Sequence, residues 1–483
     1  MLTFSVHNNK TYVSGDEVQL IREKFSVENK AAKFSRYNNR FLPYRKYLIT
    51  PKGKFDVGLY FEIKKYINEN HPDIRCVKTP EFTKLALPTL QTPVTANKLN
   101  LEPRGYQSTI VSTCTRVGRG VVILATAGGK TLTMASLIQR VYDNCRVPGK
   151  FKCLVLVPDI GLVNQTYGDF KEYGCSFHTN KWTGNTPLDL NCNVIVANMG
   201  ILQSKKSDTD WLCDIDLLIV DEVHKLRSGN KINKILDKIV TCNRYGFTGT
   251  MPEEMEDQWN IIGKIGPVLY EKNSFQLRQE KYIAKAKVLV VKIDYKDKPK
   301  STYNAANFNP SDRYRNELVW LQNNSFRNKV ICKLCSNVDN NSLLLVDRIE
   351  HGEILERELK KVLKDKRVYF IRGEVEVEQR EKIRKMMEMR SDVVCVAISK
   401  IFSTGVNIKN LHYIMFCSGG KAKVKIIQSI GRGLRKHDSK DKLIIIDIAD
   451  QVYYGKQHMS KRIKLYDQEN FKYEYQKIQE KER

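Results

Sequence analysis

Short, wholly apolar runs alternate along most of the chain with stretches whose apolar residues recur at helical spacing, and loops rich in Gly, Ser and Thr separate them. Runs at 120–124, 153–157, 193–197 and 217–220 form one series. Runs at 343–346, 368–371, 393–397, 413–416 and 443–446 form a second. A strand covered on both faces of a parallel sheet has no polar face to show, so such runs between helices predict α/β layers. The stretch 266–340 carries no motif, and the second half is expected to start near residue 281.

Residues 1–80 follow another pattern and read as a small α+β unit. Ser14-Gly-Asp16 is expected to cap a helix from Glu17 to Phe25. Tyr44–Thr50 and Lys54–Val57 read as a hairpin closed by Pro51-Lys-Gly53, with a helix after it from Leu59 to Asn68. Pro80, Pro88 and Pro93 among several threonines mark 79–100 as a linker. The fold class expected is therefore α/β, with two tandem parallel-sheet lobes preceded by a small α+β N-terminal domain. The boundaries fall at 1–95, 96–280 and 281–483.

Composition adds a partner to this picture. Of 483 residues 41% are hydrophobic and 28% charged, enough for about three cored domains. The 81 Lys and Arg against 54 Asp and Glu leave a net charge of +27, a field that favours a polyanion such as nucleic acid. The excess is spread along the chain, which suits a surface tracking a phosphate backbone. Twelve cysteines show no paired spacing except Cys332-Lys-Leu-Cys335, whose context from Asn328 reads as one face of a helix rather than a zinc site. Free thiols point to a reducing compartment. The first residues lack a charged start followed by a long apolar run, and no stretch approaches the ~20 apolar residues of a membrane span, so a cytoplasmic protein is expected.

Ala125-Thr126-Ala127-Gly128-Gly129-Lys130-Thr131 follows an apolar strand and opens a helix. Glycines there let backbone amides approach phosphate at the positive end of that helix; Lys130 would pair with the β- and γ-phosphates, and Thr131 would offer its hydroxyl to Mg²⁺. Leu124 stands where the usual pattern has its first glycine. Asp221 and Glu222 end the run Leu217–Val220, at the edge where ligands gather in open sheets. Asp221 is suited to the Mg²⁺ shell, Glu222 to orienting or deprotonating the attacking water, and His224 lies in reach of the same place.

Weaker signals surround these. Arg104 and Gln107, just before the first sheet strand, could read an adenine edge. Thr248 and Thr250 could link nucleotide state to the other half. Ser403, Thr404 and Gly405 follow a strand, where Gly405 would allow close approach to phosphate. Arg432 and Arg435, with Gln428 one turn earlier, would lie on one helix face and supply cations to charge developing in a transition state. Ile426, Ile427, Ile430 and Leu434 mark that helix as packed. The stretch 34–47 interleaves aromatics with Arg36, Arg40 and Arg45, a mixture that stacks on bases and contacts phosphate, or that simply forms a half-buried strand with solvated arginines.

In this order, from Arg104 to Arg435, the motifs resemble those of the superfamily 2 helicases of DExH type over about residues 100–450, and the residues look specifically like the UvsW-type helicases of T-even phages. Phe402–His412, Gln428–His437, Asp221-Glu222-Val223-His224 and Gly373-Glu374 before Arg380 carry the resemblance. The segment Arg40–Gly58 is similar in placement to that family's small substrate-binding domain. The resemblance implies two RecA-like lobes with ATP and Mg²⁺ between them and Arg432 and Arg435 completing the site. It implies nucleic acid gripped near Asn198 and Thr404. It also implies remodelling of branched DNA in recombination, repair and replication: Holliday junctions, displacement loops, RNA–DNA hybrids and stalled forks. The expected partner is branched, single-stranded or duplex DNA, or an RNA–DNA hybrid, and the expected state a monomer, in the host cytoplasm if viral.

Ala125 and Ala127 depart from the Pro and Gly commoner in helicases, and Thr248-Gly-Thr250 from Ser-Ala-Thr. Neither removes a charge, so hydrolysis should survive. Three alternatives stay open at this point: a double-strand translocase that does not unwind, like a restriction-enzyme motor subunit; an RNA helicase; and a nucleic-acid scaffold with a dead ATPase.

Overall fold

The structure, a computed structural model, describes residues 1–29, 32, 43–86, 99–204, 209–241, 243–297, 310–372, 377–399, 408–418, 430–431, 433–434, 440 and 442–481. Its chain divides into two compact units, one of Met1–Leu124 with Gly129–Lys272, the other of Asn273–Arg483 with Ala125–Gly128.

The first unit opens with a four-stranded sheet of order β5-β2-β1-β6. Here β1 is Leu2–His7, β2 Lys10–Ser14, β5 Lys54–Phe55 and β6 Cys76–Lys78. Helix α1 (Val18–Lys24) and helix α2 (Tyr60–Asn70) complete this small α+β domain. Phe4, Phe25, Phe55, Tyr60 and Phe82 form its core.

Three local expectations are corrected here. Glu17, not Ser14 or Asp16, precedes α1, and no side chain caps it; the Glu17 carboxylate is taken by the Met1 amino group at 2.8 Å. The predicted hairpin is absent. Its turn exists, with Gly53 at φ +74°, but β4 (Arg45–Tyr47) pairs with β3 (Ser26–Glu28) while β5 pairs with β2. That exchange sends Phe55 into the core, 6.0 Å from the Phe4 ring. Part of the predicted linker is instead helix α3 (Pro80–Ala86). Proline suits a helix start, the Thr79 hydroxyl accepts the Phe82 amide at 3.2 Å, and Phe82 is buried against Tyr60 at 5.0 Å. Residues 87–98 lie outside the described set.

The rest of this unit is a seven-stranded sheet of order β13-β7-β12-β11-β8-β10-β9, parallel at every pairing. Its strands are β7 (Arg119–Leu124), β8 (Cys153–Val157), β9 (Thr179–Trp182), β10 (Val194–Asn198), β11 (Leu217–Asp221), β12 (Arg244–Thr248) and β13 (Val268–Lys272). Helix α4 (Gly105–Val117) precedes β7, α5 (Lys130–Asp143) follows the segment 125–129, and α6 (Met255–Lys264) follows β12.

The second unit holds another seven-stranded parallel sheet, of order β16-β17-β15-β18-β19-β14-β20. Its strands are β14 (Lys285–Asp294), β15 (Ser342–Val346), β16 (Arg367–Ile371), β17 (Val393–Ile398), β18 (Tyr413–Phe416), β19 (Lys442–Asp450) and β20 (Lys472–Gln479). The two α/β layers expected from the apolar runs are therefore both present. Helices α7 (Ser325–Ser336), α8 (Ile349–Val362) and α9 (Tyr453–Gln468) pack on this sheet. Cys332 and Cys335 on α7 are buried in its core, where burial pushes the Cys332 thiol up to about 11. Among the described residues no helix is long and apolar enough to cross a membrane.

Candidate active site

Strands β7, β12 and β11 are parallel neighbours, so their carboxyl ends lie side by side. One edge thus carries the loop after β7, Thr248 and Thr250 at the end of β12, and Asp221 and Glu222 at the end of β11.

The loop is shaped by two left-handed positions, Ala127 at φ +67° and Gly129 at φ +79°, and the Gly128 amide donates to the Ala125 carbonyl at 2.9 Å. Such turns gather successive amides into an anion-binding concavity, and α5 begins directly after it at Lys130. Alanine in the left-handed region carries a penalty of about 1–2 kcal/mol. Replacing Ala127 with Gly is therefore expected to raise stability by about 0.5–1 kcal/mol, after the looser unfolded chain is allowed for, read as a higher denaturant midpoint.

Arg104 and Gln107 both stand at the start of α4. The Gln107 side chain is 1% exposed; its Oε1 accepts the Arg104 amide at 2.8 Å and its Nε2 donates to the Gly129 carbonyl at 3.1 Å. The φ of +79° favours glycine at 129, and a carbon added there would fall 2.4 Å from that Nε2, displacing the Gln107 amide from the Gly129 carbonyl. Arg104 donates to the Tyr106 hydroxyl at 3.0 Å.

Lys130 Nζ lies 3.5 Å from Glu222 Oε1, and Glu222 Oε2 lies 3.2 Å from His224 Nδ1. The same His224 nitrogen is 2.9 Å from the Thr248 hydroxyl, which donates to the Thr250 carbonyl at 2.8 Å. The structure thus brings Lys130, Glu222, His224, Thr248 and Thr250 into one chain of contacts. His224 Nε2 and Thr250 Oγ1 are buried with no hydrogen-bond partner among the described residues. Glu222 itself sits at φ +49°, its amide tied to Asp221 Oδ1 at 2.9 Å, and Asp221 is 6% exposed. Thr131, half-buried, follows Lys130 in the first turn of α5.

Other candidates are placed elsewhere or not described. Asn198 ends β10, two strands beyond β11. Arg45 lies in β4, its Nε donating to the Ser26 hydroxyl at 2.8 Å, beside exposed Tyr44. Arg36, Arg40, Gly373, Glu374, Ser403, Thr404, Gly405, Gln428, Arg432 and Arg435 lie outside the described residues, as do Ile426 and Ile427. Ile430 and Leu434 are buried, and Leu434 accepts the Ala284 amide at 2.7 Å. Sequence reading missed Lys440, whose Nζ donates to the carbonyls of Lys409 and Gly433 at 2.8 Å each; burial pushes its ammonium down to about 8. An isolated lysine in a basic chain gives no signal of that role.

Residues 100–253 match the family described as type III restriction enzyme, res subunit, and residues 327–437 match the helicase conserved C-terminal domain. The chain is 27% identical over 459 residues to the ATP-dependent DNA helicase uvsW of Enterobacteria phage T4, covering 89% of this chain and 86% of that protein. It is 24% identical over 416 residues to the DNA 3'-5' translocase XPB2 of Sulfurisphaera tokodaii, covering 80% and 88%. A solved structure of the ATP-dependent type ISP restriction-modification enzyme LlaBIII bound to DNA shares the fold, with a TM-score of 0.57 at 14% identity over 86% of this chain and 34% of that one. Two RecA-like sheets, each lying across one of the two matched domains, and the similarity to a named ATP-dependent DNA helicase lead to one assignment: the chain belongs to the superfamily 2 helicases and is an ATP-hydrolysing, ATP-dependent helicase.

Proposed function

We propose that this helicase moves along DNA and remodels branched DNA, such as four-way junctions, displacement loops and stalled forks. The observation that carries the reading is the reach of the similarity to the phage T4 DNA helicase. It spans 89% of this chain and so extends beyond the two motor domains at 100–253 and 327–437. The N-terminal domain, 1–95, is read as the part that chooses DNA shape, with Arg36, Arg40 and Arg45 contacting phosphate. The motor is read as residues 96–280 and 281–483.

In the motor, the amides after β7 and the Lys130 ammonium hold the β- and γ-phosphates, the loop's left-handed turns fixing where those donors converge. Thr131 and Asp221 offer the oxygen donors a hard cation prefers, and Mg²⁺ held there would neutralise charge on the transferred phosphoryl group. Glu222 Oε1 orients the attacking water and accepts its proton. Arg432 and Arg435 stabilise charge building on the leaving phosphate, while Gly405 approaches the nucleotide and Gln107 with Arg104 gauges its base. His224, Thr248, Thr250 and Gln428 pass the change in phosphate charge to the DNA grips near Asn198, Ser403 and Thr404. The buried, unpartnered His224 Nε2 and Thr250 Oγ1 support this relay, since such atoms call for a partner in another state of the cycle.

The test compares ATP turnover with single-stranded DNA, linear duplex, a four-way junction and an RNA–DNA hybrid at one fixed salt concentration, because phosphate contacts weaken with salt. The junction is expected to stimulate most, with strand separation on forked DNA. Equal stimulation by linear duplex without strand separation would instead make the protein a double-strand translocase, and preference for RNA an RNA helicase.

A further inference from the structure

Glu222 holds a left-handed backbone that a glutamate does not adopt on its own, so its surroundings must impose it. The 3-10 turn Val223–Lys225 closes on Glu222, the Lys225 amide donating to the Glu222 carbonyl at 2.9 Å and the Leu226 amide to Val223 at 2.9 Å. The segment that follows is gripped from outside. Asn260 Nδ2 on α6 donates to the Leu226 carbonyl at 2.8 Å and to Asn233 Oδ1 at 3.2 Å. Asn233 Nδ2 donates to the Arg227 carbonyl at 2.9 Å, and the Ser228 amide to Asp257 Oδ1 at 2.8 Å. Asp257 and Asn260 are three apart and share a stripe of α6.

A second stripe of α6 belongs to the N-terminal domain. Trp259 packs 5.1 Å from Phe25, and Ile262 is part of that domain's core. Glu256 pairs with Lys46 at 2.9 Å, and Lys264 with Asp56 at 2.9 Å. Gly58 approaches so closely that a carbon added to it would fall 2.0 Å from the Ile262 carbonyl. One helix thus carries the N-terminal domain on one stripe and the segment behind Glu222 on another.

We propose that Asn260 is a positioning residue for Glu222, and that the N-terminal domain, by seating α6, is a working part of the ATPase as well as a reader of DNA. This rests on Glu222 being the water-orienting group. Asn260 touches no substrate; it fixes the carbonyls at 226 and, through Asn233, at 227, which keeps the turn from relaxing and the carboxylate from leaving Lys130. The N-terminal domain contributes by setting the height and rotation of α6.

In the full-length protein with saturating single-stranded DNA, Asn260→Ala and the isosteric Asn260→Asp are each expected to lower kcat about tenfold with KM for ATP and nucleotide affinity unchanged. Gly58→Ala, which alters no residue of the ATP site, should move kcat in the same direction. Melting curves taken in parallel separate this from unfolding, because a merely structural role would lower stability and raise KM as kcat falls. An unchanged kcat in both Asn260 variants, or a loss shared with nucleotide affinity, overturns the positioning role; wild-type kcat in Gly58→Ala overturns the part given to the N-terminal domain. A Glu222→Gln control distinguishes the premise. Turnover retained there overturns the reading of Glu222 and this inference with it, whereas turnover lost there but kept in the Asn260 variants overturns this inference alone.

Discussion

Lys130→Ala is expected to lower ATP turnover by about 10²–10³ while leaving DNA affinity within about twofold. The ammonium is 3.5 Å from Glu222 Oε1 and its side chain only 13% exposed, which places it against the carboxylate proposed to orient the water and not on an open surface. On the proposed reading, removing it takes a cation from the place where phosphate charge is held. It also removes the ammonium paired with the Glu222 carboxylate, which is 16% exposed. Turnover measured as phosphate release, and DNA affinity by fluorescence anisotropy at fixed salt, separate the two effects. Robust turnover by this variant would refute the assignment of the loop.

The second large effect concerns stability. In the second unit the Arg327 guanidinium, 1% exposed, makes a two-pronged pair with Asp450, Nε to Oδ1 at 2.8 Å and Nη2 to Oδ2 at 3.1 Å. It also donates to the Cys417 carbonyl at 2.6 Å, and the Tyr295 hydroxyl donates to Asp450. Burial, and then the charge of Arg327, push nearby His351 down to about 3, so it stays neutral. Arg327→Ala strands a buried carboxylate, and a loss of about 3–5 kcal/mol is expected. Trp320, 5.0 Å from Tyr295, reports the unfolding of this unit by its fluorescence in denaturant. The pair Arg327→Met with Asp450→Leu should recover most of the loss, because two apolar side chains remove the stranded charge. A single replacement costing under about 1 kcal/mol would show that the site admits water or relaxes.

The strands of both seven-stranded sheets could be read where burial on both faces demands an unbroken apolar run, as at Cys153–Val157 and Val393–Ile398. Of the four edge strands only β16 was read, from the run at 368–371. β20, Lys472–Gln479, alternates charged and aromatic residues because solvent reaches it, and β9, Thr179–Trp182, offers only one buried residue. β14 was legible in part: Val288, Val290, Val291 and Ile293 were visible, but lysines among them concealed a strand paired on both sides. At the candidate site, Asp221 and Glu222 were singled out by residue type at a strand end, and Lys130 by the glycines before it at a helix start. Gln107 was named for an adenine edge, and its hold on Gly129 was not read, because a hydrogen bond across 22 residues leaves no local pattern. Asn233 and Asn260 gave no sign at all, since an amide that supports a carbonyl looks like any surface polar residue.

The small N-terminal core is completed by Ile262 and flanked by Trp259, residues some 200 positions downstream of the strands they cover. Its autonomy ends there. A gene segment cut at the connection after Ala86 and joined to another motor would arrive with Phe25 uncovered and Gly58 facing an unfamiliar helix. Recombination between genes is therefore a poor route to new specificity at this end of the protein. Point changes on the outer surface of the domain, where the covering helix does not reach, are the open route, and lineages of such motors should diverge there while the junction with the helix changes slowly and in pairs.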